Sequence, residues 1–443
     1  GKAVNLFCNL FAKGRGTNLP GAKANALMPD FIAHFKGMDI NKVVFITGTN
    51  GKSTANNMVV HALRSAGKTV CSNLEGANMI GGIATALIRN CNIFGKLKTE
   101  YFSFEIDERS MEHIYKHIPA RKVCITNLQK DQVQRNGEPD YIVQKFKKVF
   151  NSDMTLFLNG EPRAKAFEDL TDKVVYYGVG KTKYSFVKDK FYDVTMPCPK
   201  CNDKIVFDYY NVDNVGKFHC AGCSFGSEEK VQFMAENVEF SDRSSFDCNG
   251  FRFTVTNNEP FYIFNYALCI AVCNSLGISN EELQKGFSNF KNISGRMETL
   301  QYKTKTLKYI RIKQENPETL QTALDYIAKD PTEKILLMGL EELKDFKPYY
   351  TNTFYAFDVD FESLKENNIK HYICFSEAVA YDTANRMLYA GINPEDISIL
   401  PNDSDEAILS ELDKFDIDNV YLITWLKKYH ELEKSTQQYG GEN

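Results

Sequence analysis

The stretch Gly48-Thr49-Asn50-Gly51-Lys52-Ser53-Thr54 carries the residue types needed to hold a triphosphate. Two glycines let backbone N–H groups face phosphate oxygens, Lys52 would reach the β- and γ-phosphates, and Ser53 would offer its hydroxyl to Mg2+. The spacing is G-x-x-G-K-S; the longer Walker form would need a glycine at position 46, where Ile46 stands. A second group with chemistry is Cys198-x-x-Cys201 and Cys220-x-x-Cys223, eighteen residues apart. Two such knuckles supply the four tetrahedral thiolates that Zn2+ prefers, and a shell closed by four protein ligands is structural rather than catalytic. A disulfide or a redox dithiol is the alternative for these pairs. His219 adjoins Cys220, but four thiolates already fill the shell.

The elements around these residues are readable. Lys42 to Ile46 predicts a buried strand that feeds the glycine loop. Ala55, Met58, Val59, Ala62, Leu63 and Ala66 recur at helical spacing behind it, and Gly67 stands where a helix C-cap belongs. Strand-like runs follow at Tyr101 to Ile106, Val123 to Thr126, Thr155 to Leu158 and Val174 to Tyr177, with helical stretches between most of them. That alternation predicts a parallel sheet covered by helices. It breaks near Asp189, and the cysteine pairs sit in an insertion at about 191–228. A short strand at Phe251 to Thr256, a turn at Asn257-Asn258 and a helix from Ile263 to Leu276, capped by Gly277, restore regular structure. A second alternation begins after Thr306, at Leu307 to Ile312, Ile335 to Met338, His371 to Phe375 and Val420 to Thr424. The expected domains are an N-terminal amphipathic segment at 1–40, an ATP-binding α/β domain at 41–296 and a smaller Rossmann-like α/β domain at 297–443.

Bulk properties narrow the classes. Net charge is −4 with both signs interleaved, which speaks against a general nucleic-acid binder. No apolar run approaches the roughly 18 to 20 residues that span a bilayer. Lys2, Lys13 and Arg15 around Leu6, Phe7, Leu10 and Phe11 could form a basic amphipathic helix, for a membrane surface or for packing on the main body. Eight of the twelve cysteines lie outside the paired motifs, several in apolar runs as small hydrophobes, so a reducing, cytoplasmic setting is expected.

The loop Gly48-Thr49-Asn50-Gly51-Lys52-Ser53 resembles the G-T-N-G-K-[ST] loop of the Mur ligases and folylpolyglutamate synthases, and other segments resemble that superfamily in the same order. Glu105-Ile106-Asp107-Glu108 is similar to its acidic Mg2+-holding segment, which assigns magnesium to Ser53, Glu105 and Glu108. Thr126-Asn127 with Asp131-Gln132 is similar to its N…D-H region, with Gln132 in place of His. Phe264-Asn265-Tyr266 and Gly295-Arg296-Met297-Glu298 are similar to nucleotide-contacting segments, which adds Asn265 and Arg296 to the nucleotide site. The resemblance implies phosphorylation of a carboxylate by ATP and attack by an amine on the acyl phosphate.

The cysteine insertion, Glu75-Gly76-Ala77-Asn78-Met79 and Arg135-x-Gly137-Glu138 resemble the MurT-type branch. Its members partner a GatD-type glutaminase and amidate the D-glutamate α-carboxylate of lipid II, which implies contact with the inner membrane face. Only about 40 residues precede the phosphate loop, few for a UDP-sugar-binding domain, and this fits a lipid-linked substrate. In the C-terminal third, Phe357-Asp358-Val359-Asp360-Phe361-Glu362 resembles the branch's W-D-x-D-F-E and implies Asp358 as the catalytic acceptor-side residue. Asn316-Pro317 keeps half of another motif, and Gly339-Leu340-Glu341-Glu342 replaces a third. Strand-like alternation would point Asp358 and Asp360 the same way. Tyr141-x-x-x-Lys145 resembles a segment in which some members carry a carbamylated lysine; a solvent-facing helix lysine is the other reading. Beside amidation stand two further readings: a ligase for a different carboxylate, and a nucleotide-binding scaffold without chemistry.

Overall fold

A computed structural model describes residues 17–74, 77–129, 139–187, 197–212, 215–228, 231–257, 260–290, 297–312, 316–340 and 355–439. The chain divides near residue 293 into two compact units.

The first unit is built on strands β1 (Val43–Thr47), β2 (Val70–Ser72), β3 (Tyr101–Glu105), β4 (Lys122–Ile125), β5 (Thr155–Leu158), β6 (Val174–Val179), β9 (Phe233–Glu239), β10 (Ser245–Cys248) and β11 (Phe251–Thr254), with β7 (Ile205–Val212) and β8 (Val215–Cys220) forming a separate hairpin. The nine run in the order β11-β10-β9-β6-β5-β4-β1-β3-β2. From β2 to β9 every neighbour is parallel, and β10 and β11 add an antiparallel edge. A parallel sheet must be buried on both faces, and β1 is buried at every position. Its alternate side chains serve two cores: Val44 and Ile46 pack with the helices Lys52–Ser65 and Pro260–Ser275, while Val43 and Phe45 pack with Ile80–Asn90 and Pro139–Lys147.

The expected helix ends are found. Gly67 has φ +76°, its N–H donates to the Arg64 carbonyl, and Lys68 donates to Leu63. Gly277 closes the Pro260–Ser275 helix in the same manner, with φ +84°. The turn expected at Asn257-Asn258 lies partly outside the described residues, and before it stands one not read from the sequence: Asn249 (φ +49°) and Gly250 (φ +72°) join β10 to β11 as a two-residue hairpin.

The second unit holds β12 (Met297–Tyr302), β13 (Lys305–Arg311), β14 (Lys334–Gly339), β15 (Ile369–Phe375), β16 (Ile397–Leu400) and β17 (Asn419–Thr424), ordered β12-β13-β17-β14-β15-β16. All neighbours are parallel except the β12–β13 hairpin. Asn316, read as a motif remnant, caps the helix Pro317–Ala328 by accepting from Thr319 N at 3.1 Å, with Pro317 at the first turn.

The segment around Asp358 is not a strand. Tyr355–Asp358 and Glu362–Glu366 are 3-10 turns, which leaves Asp358 exposed and Asp360 partly buried, accepting from Ser363 N at 3.0 Å. The expectation that both aspartates point the same way is therefore corrected. Buried Arg386 fixes this stretch. It forks onto Glu362 at 2.8 and 2.9 Å, donates to the carbonyls of Ala356 and Val359, and lies over the Phe361 ring. Truncation would strand these acceptors, so Arg386→Ala is expected to cost about 2 to 3 kcal/mol in urea unfolding of the second unit. Unfolding within error of the parent would show that the turn is held by other contacts.

Candidate functional site

The phosphate loop leaves the C-terminal end of β1 and enters the helix Lys52–Ser65, whose first-turn N–H groups face out of its N-terminus. Gly48 has φ +121°, and a Cβ there would run into the side chain of Thr126 and the carbonyl of Asn127. Gly51 has φ +81°, and its Cβ would approach Asn265 Oδ1 at 3.1 Å. Both glycines are thus demanded by the backbone and by close neighbours. Asn265, buried on the helix Pro260–Ser275, stands directly against the loop.

The segment after β4 clamps the loop. Thr49 N donates to the Asn127 carbonyl at 2.8 Å and Asn50 N to Asn127 Oδ1 at 2.8 Å, while Asn127 Nδ2 returns a bond to the Asn50 carbonyl at 3.1 Å. Gln129 N donates to Thr49 Oγ1 at 3.0 Å, and Asn50 Nδ2 to Gln129 Oε1 at 2.6 Å. Behind them, Leu128 N donates to buried Glu161 at 2.7 Å. Gln129 and Glu161 were not singled out from sequence, because single polar residues carry no spacing signal.

Lys52 lies buried and folded back over its own loop, donating to the carbonyls of Gly48 and Thr49 and to Glu108 Oε1 at 2.7 Å. Burial pushes the Glu108 carboxyl above its ordinary value, against the lowering pull of Lys52. Glu105 ends β3 one strand away, in register with Ile46 of β1. Asn73 holds its backbone at both N–H and carbonyl, and Asn78 Nδ2 reaches Glu105 Oε1 at 3.3 Å. Asn78 also accepts Asp107 N at its carbonyl, so Ala77 to Met79 buttress the acidic segment. Ser53 and Thr54 open the same helix, Ser53 exposed. Phosphate loop, two buried carboxylates and Asn265 are thus assembled in one unit. Arg296, Glu75-Gly76, Asp131-Gln132, Arg135, Gly137-Glu138 and Glu341-Glu342 lie outside the described residues, as do residues 1–16 of the N-terminal segment; the rest of that segment includes the helix Leu19–Leu27, where Gly21 N donates to Thr85 Oγ1 at 2.9 Å. Lys145 lies 5.0 Å over the exposed Tyr141 ring.

The sulfurs of Cys198, Cys201, Cys220 and Cys223 all fall within 4.8 Å of one another. Cys198–Cys223 and Cys201–Cys220 are 3.7 and 3.5 Å apart, close to the roughly 3.8 Å edge of a tetrahedron with metal–sulfur bonds of about 2.3 Å. Lys200 N and Gly222 N point at Cys198 and Cys220 sulfurs, as knuckle amides do. His219 turns away to Asp208 at 3.2 Å.

Residues 46–219 match the Mur ligase middle domain family, and residues 314–426 match the MurT ligase C-terminal family. A pseudomurein peptide ligase type C from Methanothermus fervidus superposes with a TM-score of 0.66 at 18% identity, covering 96% of this chain and 85% of that one. MurF from Thermotoga maritima, solved with ADP, superposes with 0.57 at 15% identity over 97% and 86%. Two stretches of the chain thus match Mur ligase families, and its fold is that of the Mur ligases. Within that class its relatives include the lipid II isoglutaminyl synthase subunit MurT of Staphylococcus aureus strain COL, 29% identical over 80% of this chain and 79% of the relative. The subunit of the same name from Streptococcus pneumoniae R6 is 26% identical over 96% and 94%. Among the described residues no helix is long and apolar enough to cross a membrane.

The raised Glu108 carboxyl has a measurable consequence. The folded chain holds this proton more tightly than the unfolded chain, so ionised Glu108 weakens the ligand-free fold as pH rises from about 4.5 through its raised value. Glu108→Gln should remove that cost, and the melting temperature of the variant minus that of the parent should grow over this window. A difference that is flat or shrinks would mean that Lys52 outweighs burial.

Proposed function

We propose that the chain is the ligase subunit of a lipid II amidating enzyme, working with ammonia released by a GatD-type glutaminase. The observation that carries this is the assembled phosphate loop with Glu105 and Glu108, in a chain whose likeness to a MurT subunit runs over 96% of its length. An oxygen of the D-glutamate α-carboxylate attacks the γ-phosphorus of ATP and ADP leaves, forming an acyl phosphate. Ammonia then attacks the carbonyl carbon, phosphate leaves with the C–O bond electrons, and the nitrogen loses a proton to give the amide. Gly48 to Thr54 bind the phosphates, Lys52 leaves Glu108 for the β- and γ-oxygens, and Asn265 and Arg296 bind the nucleoside part. Ser53, Glu105 and Glu108 would hold Mg2+, since a hydroxyl and two carboxylates are the oxygen donors that this ion takes. Mg2+ would supply charge neutralisation on the transferring phosphoryl group.

Asp358 is the acceptor-side residue. A carboxylate at the amine can bind ammonium, take its proton and aim the lone pair. With purified chain, glutaminase, glutamine, ATP and lipid II, Lys52→Ala is expected to abolish phosphate release, through loss of about 3 kcal/mol or more of transition-state stabilisation. Asp358→Asn should keep ATP binding and cut amide formation by about two orders of magnitude. Amide formed at the parental rate by either variant removes that residue's role. A parent that forms none removes the amidation reading and leaves a nucleotide-binding scaffold.

The four-cysteine cluster holds structural Zn2+. Among the described residues around it Cys198, Ile205, Phe218, Cys220 and Phe225 are buried together, with Phe207 and Cys223 partly buried against them, a small core for folding a ribbon without a cross-link. Metal analysis should give one zinc per chain. Cys201→Ser should lower the melting temperature far more than the rate of the folded fraction; zinc-free parent, or a disulfide in reducing buffer, removes the site.

A further inference from the structure

Ile93 and Phe94 are 82% and 80% exposed, two adjacent large apolar side chains in water. The turn beneath them is fully tied. Asn92 Oδ1 accepts from Phe94 N at 2.9 Å and from Lys96 N at 3.0 Å, and Asn92 N donates to the Lys96 carbonyl at 2.9 Å. Gly95, at φ +75°, accepts at its carbonyl from Lys36 N at 3.0 Å. With the backbone committed inward, the two side chains are left outward on a preformed tip.

The charged side chains on the tip itself are basic, and the acidic residues Asp30, Asp39 and Glu100 stand at the ends of its two segments. Lys36 and Lys96 are bridge partners on adjacent parallel segments, both exposed, which starts two lysine side chains from neighbouring positions. Lys98 is exposed two residues on, and neither 31–38 nor 89–99 contains an acidic residue. Like charges placed opposite each other, beside exposed apolar groups, are unfavourable in water on both counts. An anionic bilayer reverses both, because the apolar tip enters the headgroup boundary while the lysines meet lipid phosphates.

We infer that the Ile93-Phe94 turn, with Lys36, Lys96 and Lys98, is a docking point for an anionic membrane surface. The surface stands on its own observations; the proposed lipid-linked substrate gives it a purpose, since an enzyme moored at the bilayer meets such a substrate in two dimensions. This anchor is separate from the phosphate loop and asks nothing of the chemistry.

The test is sedimentation of the purified chain with vesicles of phosphatidylglycerol and phosphatidylcholine, and with phosphatidylcholine alone. Binding is expected on the anionic vesicles, weakening as salt rises, and reduced about tenfold or more in Ile93→Ser/Phe94→Ser and in Lys36→Glu/Lys96→Glu. Both pairs are exposed, and an unchanged melting temperature confirms the fold. ATP hydrolysis with a water-soluble, lipid-free substrate should be unaltered in all variants, so loss of amidation chemistry and loss of docking are read separately. A parent that ignores anionic vesicles, or variants that bind them like the parent, overturns the inference. So does concentration-dependent dimerisation abolished by Ile93→Ser/Phe94→Ser, which would assign the tip to a second copy of the chain.

Discussion

A loop can offer its N–H groups to a triphosphate only if it is prevented from collapsing onto itself, and here that prevention comes from the segment after β4. Thr49 and Asn50 are bonded by backbone and side chain to Asn127 and Gln129, while Gly48 is pressed so close to Thr126 that no side chain fits. Adjacent parallel strands make this possible. β4 runs beside β1 in register from Val44 to Thr47, so both chains leave the sheet at the same edge and their first loop residues meet. The site lies at the carboxyl ends of the strands because that is where successive loops converge in an open α/β sheet.

The same constraint explains the resting position of Lys52. An ammonium taken out of water must be compensated, and loop carbonyls and Glu108 do so. Glu108 is compensated in turn by Lys52, yet its carboxyl stays above the ordinary range because burial outweighs a single cation. A pair balanced in this way can be opened by a ligand bringing both phosphate for Lys52 and a metal cation for Glu108. A ligand bringing only one would leave the other charge stranded.

What was legible in the sequence was what depends on near neighbours in the chain. The strand feeding the loop, the helix behind it, the caps at Gly67 and Gly277 and the cysteine knuckles all follow from periodicity, φ requirements and short spacings. What was not legible depends on partners far away. Gln129, Glu161 and Arg386 act through bonds spanning 24 to 80 residues, and nothing local marks them. The misread geometry at Asp358 has the same origin. Val359 and Phe361 are buried in the second unit's core, as alternation would suggest, but the Arg386 fork curls the stretch into turns and separates its two aspartates. The Asn249-Gly250 hairpin is different, since Asn-Gly is a local turn signal.

The ribbon shows how an insertion can be carried without breaking the sheet that hosts it. It leaves after β6 and returns before β9, two strands that nonetheless pair in parallel from Tyr177–Phe233 to Val179–Ala235. Such an excursion must be anchored at its base, or the loop's freedom would work against the pairing. The anchor is a half-buried ionic network. Lys165 contacts Glu228 of the ribbon and Glu168 beside it, Lys200 of the ribbon contacts Glu168 and Asp169, and Tyr176 of β6 donates to Glu168 at 2.7 Å. Phe225 of the ribbon packs its ring near the Lys165 ammonium. An ionic network is directional but weak unless its members are held still, and the ribbon members are held by a hairpin with almost no core of its own. A metal held by the four cysteines would supply the missing rigidity, and would couple a site remote from phosphate chemistry to the strand order on which the nucleotide site is built.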